Sequence, residues 1–364
     1  MNKIRTAVVG LGFIGARHID AIRRIGNAEI AAVADLNPNA VKKFSGDFGI
    51  AGYTDYTELL ENERIDVLHN CTPNSLHFEV NKAAIVKGVN IYSEKPLAAT
   101  IEQGEELVRL ANECKAANAV NFNYRANPAV MEMRERVQNG AAGRCYLIHG
   151  SYMQDWLSEE TDYDWRVAES GNGPRALADI GSHWFDLAQF VYGKRIASVC
   201  AAPFIAHNTR QKPDGERVAV ENDDGASVLI RFEDGLTANL VVSQVSAGYK
   251  NSVSISVDCQ NYSMRWQQQD ADKLVIGKRD GGEERVYAAS QYFHGEAKRW
   301  AFLPNGHAAG WSEALFNAIA MYYENVFMKT AHPACASFSD ALEVMRVVSA
   351  CAASGKEKRF VDIY

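Results

Sequence analysis

A G-x-G-x-x-G run, Gly10-Leu11-Gly12-Phe13-Ile14-Gly15, directly follows the apolar stretch Thr6-Ala7-Val8-Val9 and opens a segment of helical spacing. Residues 16–25 place Ile19, Ile22 and Ile25 on one side. In this strand–turn–helix setting the hexamer is a dinucleotide fingerprint rather than a chance string of glycines. The first glycine permits the tight turn, the second lets backbone approach a pyrophosphate, and the third lets helix and strand pack closely. The helix N-terminus presents N–H groups and a positive dipole end to the phosphates. Phe13 and Ile14 complete the loop and are read with Gly10, Gly12 and Gly15 as cofactor contacts. Asp35 ends the next strand, at the spacing of about 20 residues where a carboxylate takes the ribose hydroxyls. It would repel a 2′-phosphate, so the expected cofactor is NAD rather than NADP. The plain alternative is a ligand-free turn, with Asp35 capping the helix that begins at Asn37-Pro38.

The alternation continues through residue 125. Strands are expected at 29–34, 66–70, 90–93 and 120–123, and helices at 39–48, 75–87 and 101–118. Gly88 suits a helix C-cap, and Thr100 with Gln103 a capping box. Strands separated by helices imply parallel pairing with helices on both faces. The pattern changes after Arg125. A helix at 129–139 and a strand at 145–153 precede a polar loop and a helix at 178–192. Mainly strands follow between 197 and 287, and Glu233-Asp234-Gly235 gives a hairpin signal. Helices return at 311–329 and 339–354. The expected fold is α/β. Residues 1–125 form a Rossmann domain with a doubly wound parallel sheet. Residues 126–364 form an α+β domain for substrate binding and oligomerisation, with a large, mostly antiparallel open sheet.

Bulk properties limit the partners. The 364 residues carry a net charge of −7, with 47% apolar residues. Neutralising phosphates needs a basic face, so nucleic acid is not an expected partner. No apolar run reaches the roughly 18 residues of a membrane span. Lys3 and Arg5 before an apolar stretch imitate a secretory signal, but glycines interrupt the stretch and no good cleavage site follows. Seven cysteines without a C-x-x-C pair read as reduced thiols of a cytoplasmic protein.

Ligands lie beyond the carboxyl ends of strands in open parallel sheets. Thr72, Pro73 and Asn74 follow one such strand and are candidates for the nicotinamide half of the cofactor, with His77 either a contact or a helix-surface residue. Glu94-Lys95-Pro96 follows another, where an X–Pro turn could aim Lys95. Asp179, His183 and Asp186 have the spacing of one helix face. A carboxylate one turn before a histidine can orient its ring. The same pattern also suits an N-cap aspartate with a satisfied histidine, or a metal site.

Together, the glycine loop, Glu94-Lys95-Pro96 and Asp179-Ile180-Gly181-Ser182-His183 resemble the glucose-fructose oxidoreductase / inositol dehydrogenase / rhizopine catabolism family. The resemblance covers nearly the whole chain. It implies metal-free hydride transfer between NAD(P) and secondary alcohols of sugars or cyclitols, with Lys95, Asp179 and His183 as the catalytic group. It also implies cofactor contacts at Glu94, Lys95, Trp165 and Arg166, and substrate positions at Asn123, Arg125 and His183. Gln154-Asp155-Trp156-Leu157 and His307-Ala308-Ala309-Gly310-Trp311 look like a subgroup acting on sugars and glycosides. That adds Asp155, Trp156 and His307 to the substrate set. The expected ligand is a carbohydrate, glycoside or cyclitol, with C3 a candidate carbon, and the expected assembly is a homo-oligomer, dimer or tetramer. Two other readings stay open: an NAD-retaining glycosidase acting by transient oxidation, and an NAD-binding regulator without turnover.

Overall fold

The computed structural model describes residues 3–168 and 173–364. The chain up to Ala126, joined by Ser312–Glu343, forms one compact unit. Asn127–Trp311 and the segment from Val344 form the other.

In the first unit, β1 (Ile4–Val9), β2 (Ala28–Ala34), β3 (Ala51–Tyr53), β4 (Val67–Asn70), β5 (Asn90–Ser93) and β6 (Asn118–Val120) form one sheet in the order β3-β2-β1-β4-β5-β6. Every neighbouring pair is parallel, as the strand–helix alternation requires. The central β4 is buried along its whole length, as expected of a strand covered on both faces. Helices α1 (Phe13–Ile22), α2 (Pro38–Phe48), α3 (Tyr56–Asn62), α4 (His77–Val86) and α5 (Ile101–Glu113) link the strands. Their ends follow local chemistry. Asn37 caps α2 by accepting the Asn39 N–H at 3.0 Å, with Pro38 in the first turn. Thr100 caps α5 through the Gln103 N–H at 3.3 Å, and Gln103 reaches back to the Ala99 N–H at 3.2 Å. Strand order reverses between β1 and β4, which creates a crevice at their carboxyl ends.

Two boundaries differ from the sequence pattern. The helix expected at 101–118 stops at Glu113, because Lys115 turns left-handed at φ 55°. The following strand therefore lies at Asn118–Val120, earlier than the expected 120–123. Residues 312–343, read from sequence as part of the second domain, pack in the first unit. They finish its sheet edge: the Val120 N–H donates to Ala336 O at 2.8 Å, and the Phe338 N–H to Asn118 Oδ1 at 2.8 Å.

In the second unit, α6 (Pro128–Gln138), β7 (Cys145–Met153), the short α7 (Trp165–Ala168), a π-helical turn (Leu177–Gly181) and α8 (Ser182–Tyr192) precede the main run of strands. Those are β8 (Ile196–Phe204), β9 (Thr209–Gln211), β10 (Arg217–Ala219), β11 (Gly225–Phe232), β12 (Thr237–Ser243), β13 (Ser252–Cys259), β14 (Ser263–Gln267), β15 (Lys273–Lys278) and β16 (Gly282–Tyr287). The short α9 (Gly295–Trp300), the long α10 (Trp311–Met328) and α11 (Phe338–Glu357), and β17 (Val361–Asp362) complete the chain. The large sheet runs β16-β15-β14-β13-β7-β12-β11-β8-β17. Only β12–β7 is a parallel pair, so the sheet is mixed and mostly antiparallel. Along β11, Ala226, Val228, Ile230 and Phe232 are buried while Ser227, Leu229 and Arg231 alternate outward. One sheet face is therefore core and the other open. Among the described residues no helix is long and apolar enough to cross a membrane.

Helix α8 docks on the core face through Trp184, whose indole N–H donates to Ser254 O at 2.9 Å. Gly150 makes this possible, since a Cβ there would lie 2.6 Å from the indole nitrogen and 2.1 Å from Ser254 O. Gly150→Ala should cost about 1–3 kcal/mol through overpacking and displace α8. Urea unfolding measures this, and an unchanged midpoint would contradict the docking role.

Candidate active site

The glycine loop meets three different steric demands. Gly10 has φ 91°, and a Cβ would lie 2.4 Å from Cys71 O. At Gly15 a Cβ would lie 1.9 Å from Gly10 O. These two glycines let β1, β4 and α1 close on one another. Gly12 is different, because a Cβ there would meet nothing of the protein within 4 Å. Its bareness clears space for a ligand at the start of α1, as a pyrophosphate requires. Asp35 ties the loop down: its Oδ2 accepts the Leu11 N–H at 2.6 Å and its Oδ1 the Asn37 N–H at 2.8 Å. A carboxylate oxygen has two lone-pair sites, so both oxygens retain capacity for ribose hydroxyls. Phe13 and Leu36 lie next in sequence to Gly12 and Asp35, and are 78% and 79% exposed. The residues present therefore fit a dinucleotide, with apolar surface beside the acidic end. Ile14 is half-buried behind them.

The loop after β4 is built by Asn70. Its Oδ1 accepts from Thr72 Oγ1 at 2.7 Å, and its Nδ2 donates to His77 O and to Asn81 Oδ1. Thr72 and Asn74 are half-buried and Pro73 is exposed at this edge. His77 is not on the helix surface. It is fully buried, with Nδ1 2.5 Å from Pro96 O and Nε2 2.9 Å from Thr72 O. Burial lowers its pKa against the pull of those two carbonyls. It braces the loop after β4 against the Glu94–Pro96 turn. The Lys95–Pro96 peptide is cis, and Lys95 is half-buried. Glu94 points inward: burial opposes its charge, but hydrogen bonds from His18 and Asn121 and the nearby Lys95 charge hold its pKa below the usual value.

Asn123 and Arg125 are buried in the 3₁₀ turn Asn123–Ala126. The Arg125 guanidinium approaches Asp340 Oδ2 and Pro333 O, each at 3.5 Å. Asn123 Nδ2 is buried with no hydrogen-bond partner among the described residues.

In the second unit, Asp179 sits in the π-helical turn and His183 in the first turn of α8, both half-buried. Asp186, placed on the same face by spacing, is buried at 1% exposure. The wider π turn alters the regular i, i+4, i+7 alignment. Among the described residues no group of three or more His, Cys, Asp or Glu is arranged to hold a metal ion. Asp179 Oδ2 accepts from Gln244 Nε2 at 2.8 Å. Gln244 Oε1 accepts from Arg175 at 3.2 Å, and Arg175 with Arg210 clamps the buried Asp224. Burial works against the Asp224 charge, but the Ala206 N–H and the two arginines outweigh it and lower its pKa. Burial raises that of Asp223, which accepts the Arg175 and Leu177 N–H groups. The π turn is thus anchored by a buried ionic frame. The Tyr152 and His183 ring centroids are 6.3 Å apart, and Tyr152 donates to Asn251 Oδ1 at 2.6 Å.

Other predicted positions are more peripheral. Asp155 pairs with Lys250 at 2.7 Å and accepts the Gly248 N–H, while Trp156 is exposed and donates to Gln154. Arg166 pairs with Asp164 at 3.1 Å. Trp165 begins α7, but its side chain lies outside the described residues. His307 is exposed in a loop, its Nδ1 3.1 Å from Pro304 O. Sequence reading missed His18, His69, Asn121, Gln244 and the Arg175–Asp224 frame. Only His18 left a usable signal, a polar residue on the buried side of the helix that follows the glycine loop.

Residues 4–122 match a family model described as "Oxidoreductase family, NAD-binding Rossmann fold". Residues 130–265 match the "GFO/IDH/MocA C-terminal domain" model. The levoglucosan dehydrogenase of Pseudarthrobacter phenanthrenivorans is 25% identical, over 100% of this chain and 99% of that protein. The myo-inositol 2-dehydrogenase of Thermotoga maritima is 24% identical, over 64% of this chain and 66% of its own. A solved levoglucosan dehydrogenase in complex with NADH and L-sorbose superposes with a TM-score of 0.92 at 25% identity, covering 100% of both chains.

Gln244→Leu removes the donor to Asp179 and leaves Arg175 short of an acceptor. It should lower kcat by about 10²-fold through misplacement of the Asp179–His183 turn, with NAD affinity unchanged. Steady-state kinetics and calorimetry check this, and wild-type kcat would contradict it.

Proposed function

The chain belongs to the Gfo/Idh/MocA family of NAD-binding oxidoreductases, and on that premise we propose that it oxidises a secondary alcohol of a neutral sugar, glycoside or cyclitol. The observation that carries the reading is the geometry at the carboxyl edge of the parallel sheet. An open-sided Gly12, an Asp35 carboxylate with spare acceptor capacity and a half-buried Lys95 follow the ends of β1, β2 and β5. The Asp35 charge favours the free ribose of NAD over a 2′-phosphate. NAD⁺, when bound, supplies the hydride acceptor. Neutral His183 takes the hydroxyl proton as general base, a role worth roughly 10²–10⁴-fold. Asp179 orients the imidazole, and cationic Lys95 stabilises negative charge developing on the substrate oxygen. Trp165 and Arg166 are assigned to the cofactor, and Asn123, Arg125, Asp155, Trp156 and His307 to the substrate. C3 of the sugar ring is the candidate position.

The match to levoglucosan dehydrogenase along the whole chain supports a sugar-type substrate. The open face of the large sheet exposes Leu229 and Val241, which supports a homo-oligomer. All seven cysteines are free thiols, which suits a cytoplasmic setting.

A panel of sugars, anhydrosugars, glycosides and inositols, assayed with NAD⁺ by NADH absorbance, tests the reading. Steady NADH formation with at least one neutral polyol is expected. Glycosidic cleavage without net NADH, or binding of NAD without turnover of any compound, would contradict it. Lys95→Ala should keep NAD binding and lose most turnover, because its interaction strengthens only in the transition state. Near-normal turnover would return Lys95 to a surface role. Wild-type oxidation should rise with pH through one ionisation, and ketone reduction should fall. His183→Asn should flatten both profiles and lower oxidation by roughly 10²–10⁴-fold. Retention of the wild-type profile would place the base elsewhere.

A further inference from the structure

Behind the Glu94–Lys95 turn lies a line of buried polar side chains that the roles above do not use. Glu94 Oε1 is 3.1 Å from His18 Nε2, and His18 Nδ1 is 2.9 Å from His69 Nδ1. His69 Nε2 is 3.1 Å from Tyr323 Oη, which is 2.6 Å from Thr6 Oγ1. Thr6, His18 and His69 are 0% exposed and Tyr323 is 1% exposed. Polar groups this deep are costly unless every one is satisfied. The line joins α1, β4, α10 and β1, all in the first unit.

The hydrogen positions follow from its acidic end. An ionised Glu94 can only accept, so His18 carries a hydrogen on Nε2. The neighbours of His18 Nδ1 are His69 Nδ1 and, at 3.2 Å, the Cys71 thiol. Burial raises the Cys71 pKa, so it remains a donor. Burial keeps His69 well below the ordinary histidine range and therefore neutral. Both neighbours can thus donate to His18 Nδ1, and in that arrangement every buried group of the line has a partner. His69 then donates from Nδ1 and accepts at Nε2 from Tyr323, which accepts from Thr6. Every hydrogen in the line points toward Glu94, and such aligned bonds reinforce one another. On its other sides Glu94 accepts from Asn121 Nδ2 at 2.6 Å and from the Lys95 N–H at 3.2 Å, and Tyr92 donates to Asn121.

We propose that His18 and His69 are positioning residues which hold Glu94 as a fixed anion beneath the Lys95 turn, and so keep Lys95 correctly placed. This rests on the role given to Lys95 above. His18→Leu strips one donor from Glu94 in an apolar setting, so the carboxyl protonates at higher pH and Lys95 loses its counter-charge.

The test is steady-state kinetics with NAD⁺ and the alcohol found in the panel, on His18→Leu, Glu94→Gln, the double variant, His18→Gln and Lys95→Ala. His18→Leu and Glu94→Gln should each lower kcat by about 10²-fold, with NAD affinity little changed. The double variant should be no worse than Glu94→Gln alone. His18→Leu should also lose activity toward acid at a higher pH than wild type. His18→Gln, whose amide N–H stands near the Nε2 position, should recover at least about tenfold of the loss. Multiplied losses in the double variant, or a His18→Gln no better than His18→Leu at wild-type melting temperature, would overturn the inference. So would a His18→Leu as active as wild type while Lys95→Ala is inactive. An active Lys95→Ala would instead overturn the role of Lys95 itself.

Discussion

The Asp35 carboxylate, accepting the Leu11 N–H at 2.6 Å, is the interaction on which the rest of the first unit's function depends. The Gly10 N–H already ties the turn to β2 by donating to Ala34 O at 2.8 Å, and Asp35 adds a side-chain tether one residue further along the loop. With it, an anion and a helix N-terminus are fixed at neighbouring strand ends. A helix end of this kind attracts phosphates, and the role proposed for the carboxylate is to select ribose hydroxyls and exclude a further phosphate. On the proposed reading, one side chain both steadies the loop and chooses the cofactor.

The catalytic candidates are supported in a similar way, by buried polar groups that restrict how they can move. Glu94 is gripped by His18, Asn121 and the Lys95 backbone. Asp179 is gripped by Gln244, which hangs from the Arg175–Asp224–Arg210 frame. Buried ion pairs are weak contributors to stability but expensive to leave half-made. Their value here is that a polar frame has one satisfied arrangement, whereas an apolar core tolerates several. A reaction sensitive to displacements of about 1 Å benefits from that restriction.

Much of this was legible in the sequence. The strand–helix alternation, the Gly10–Gly15 loop, Asp35, Thr100 with Gln103, Gly88 and the mixed second sheet are all local patterns, set by steric rules within a few residues. What escaped is non-local. Nothing near His18 announces Glu94, 76 positions on, and nothing near Asp179 announces Gln244, 65 positions on. His77 was open to two readings and proved to be a buried brace, because its carbonyl partners at Thr72 and Pro96 come from different turns. Residues 312–343 look like ordinary helix from their spacing. Long-range bonds, among them those to Asn118, Val120, Arg125 and Thr6, assign them to the first unit. The early end of α5 escaped because a lysine that turns left-handed, as Lys115 does at φ 55°, carries no sequence mark.

The central claim is that the edge formed by Gly12, Asp35 and Lys95 is an NAD site whose selectivity comes from a single carboxylate. Calorimetric titration of the protein with NAD⁺ and with NADP⁺, at low and high salt, tests it most directly. The account predicts saturable one-site binding of NAD⁺ and much weaker binding of NADP⁺, with discrimination shrinking as salt screens the Asp35 charge. Equal affinity for the two cofactors, or no binding of NAD⁺, would contradict it.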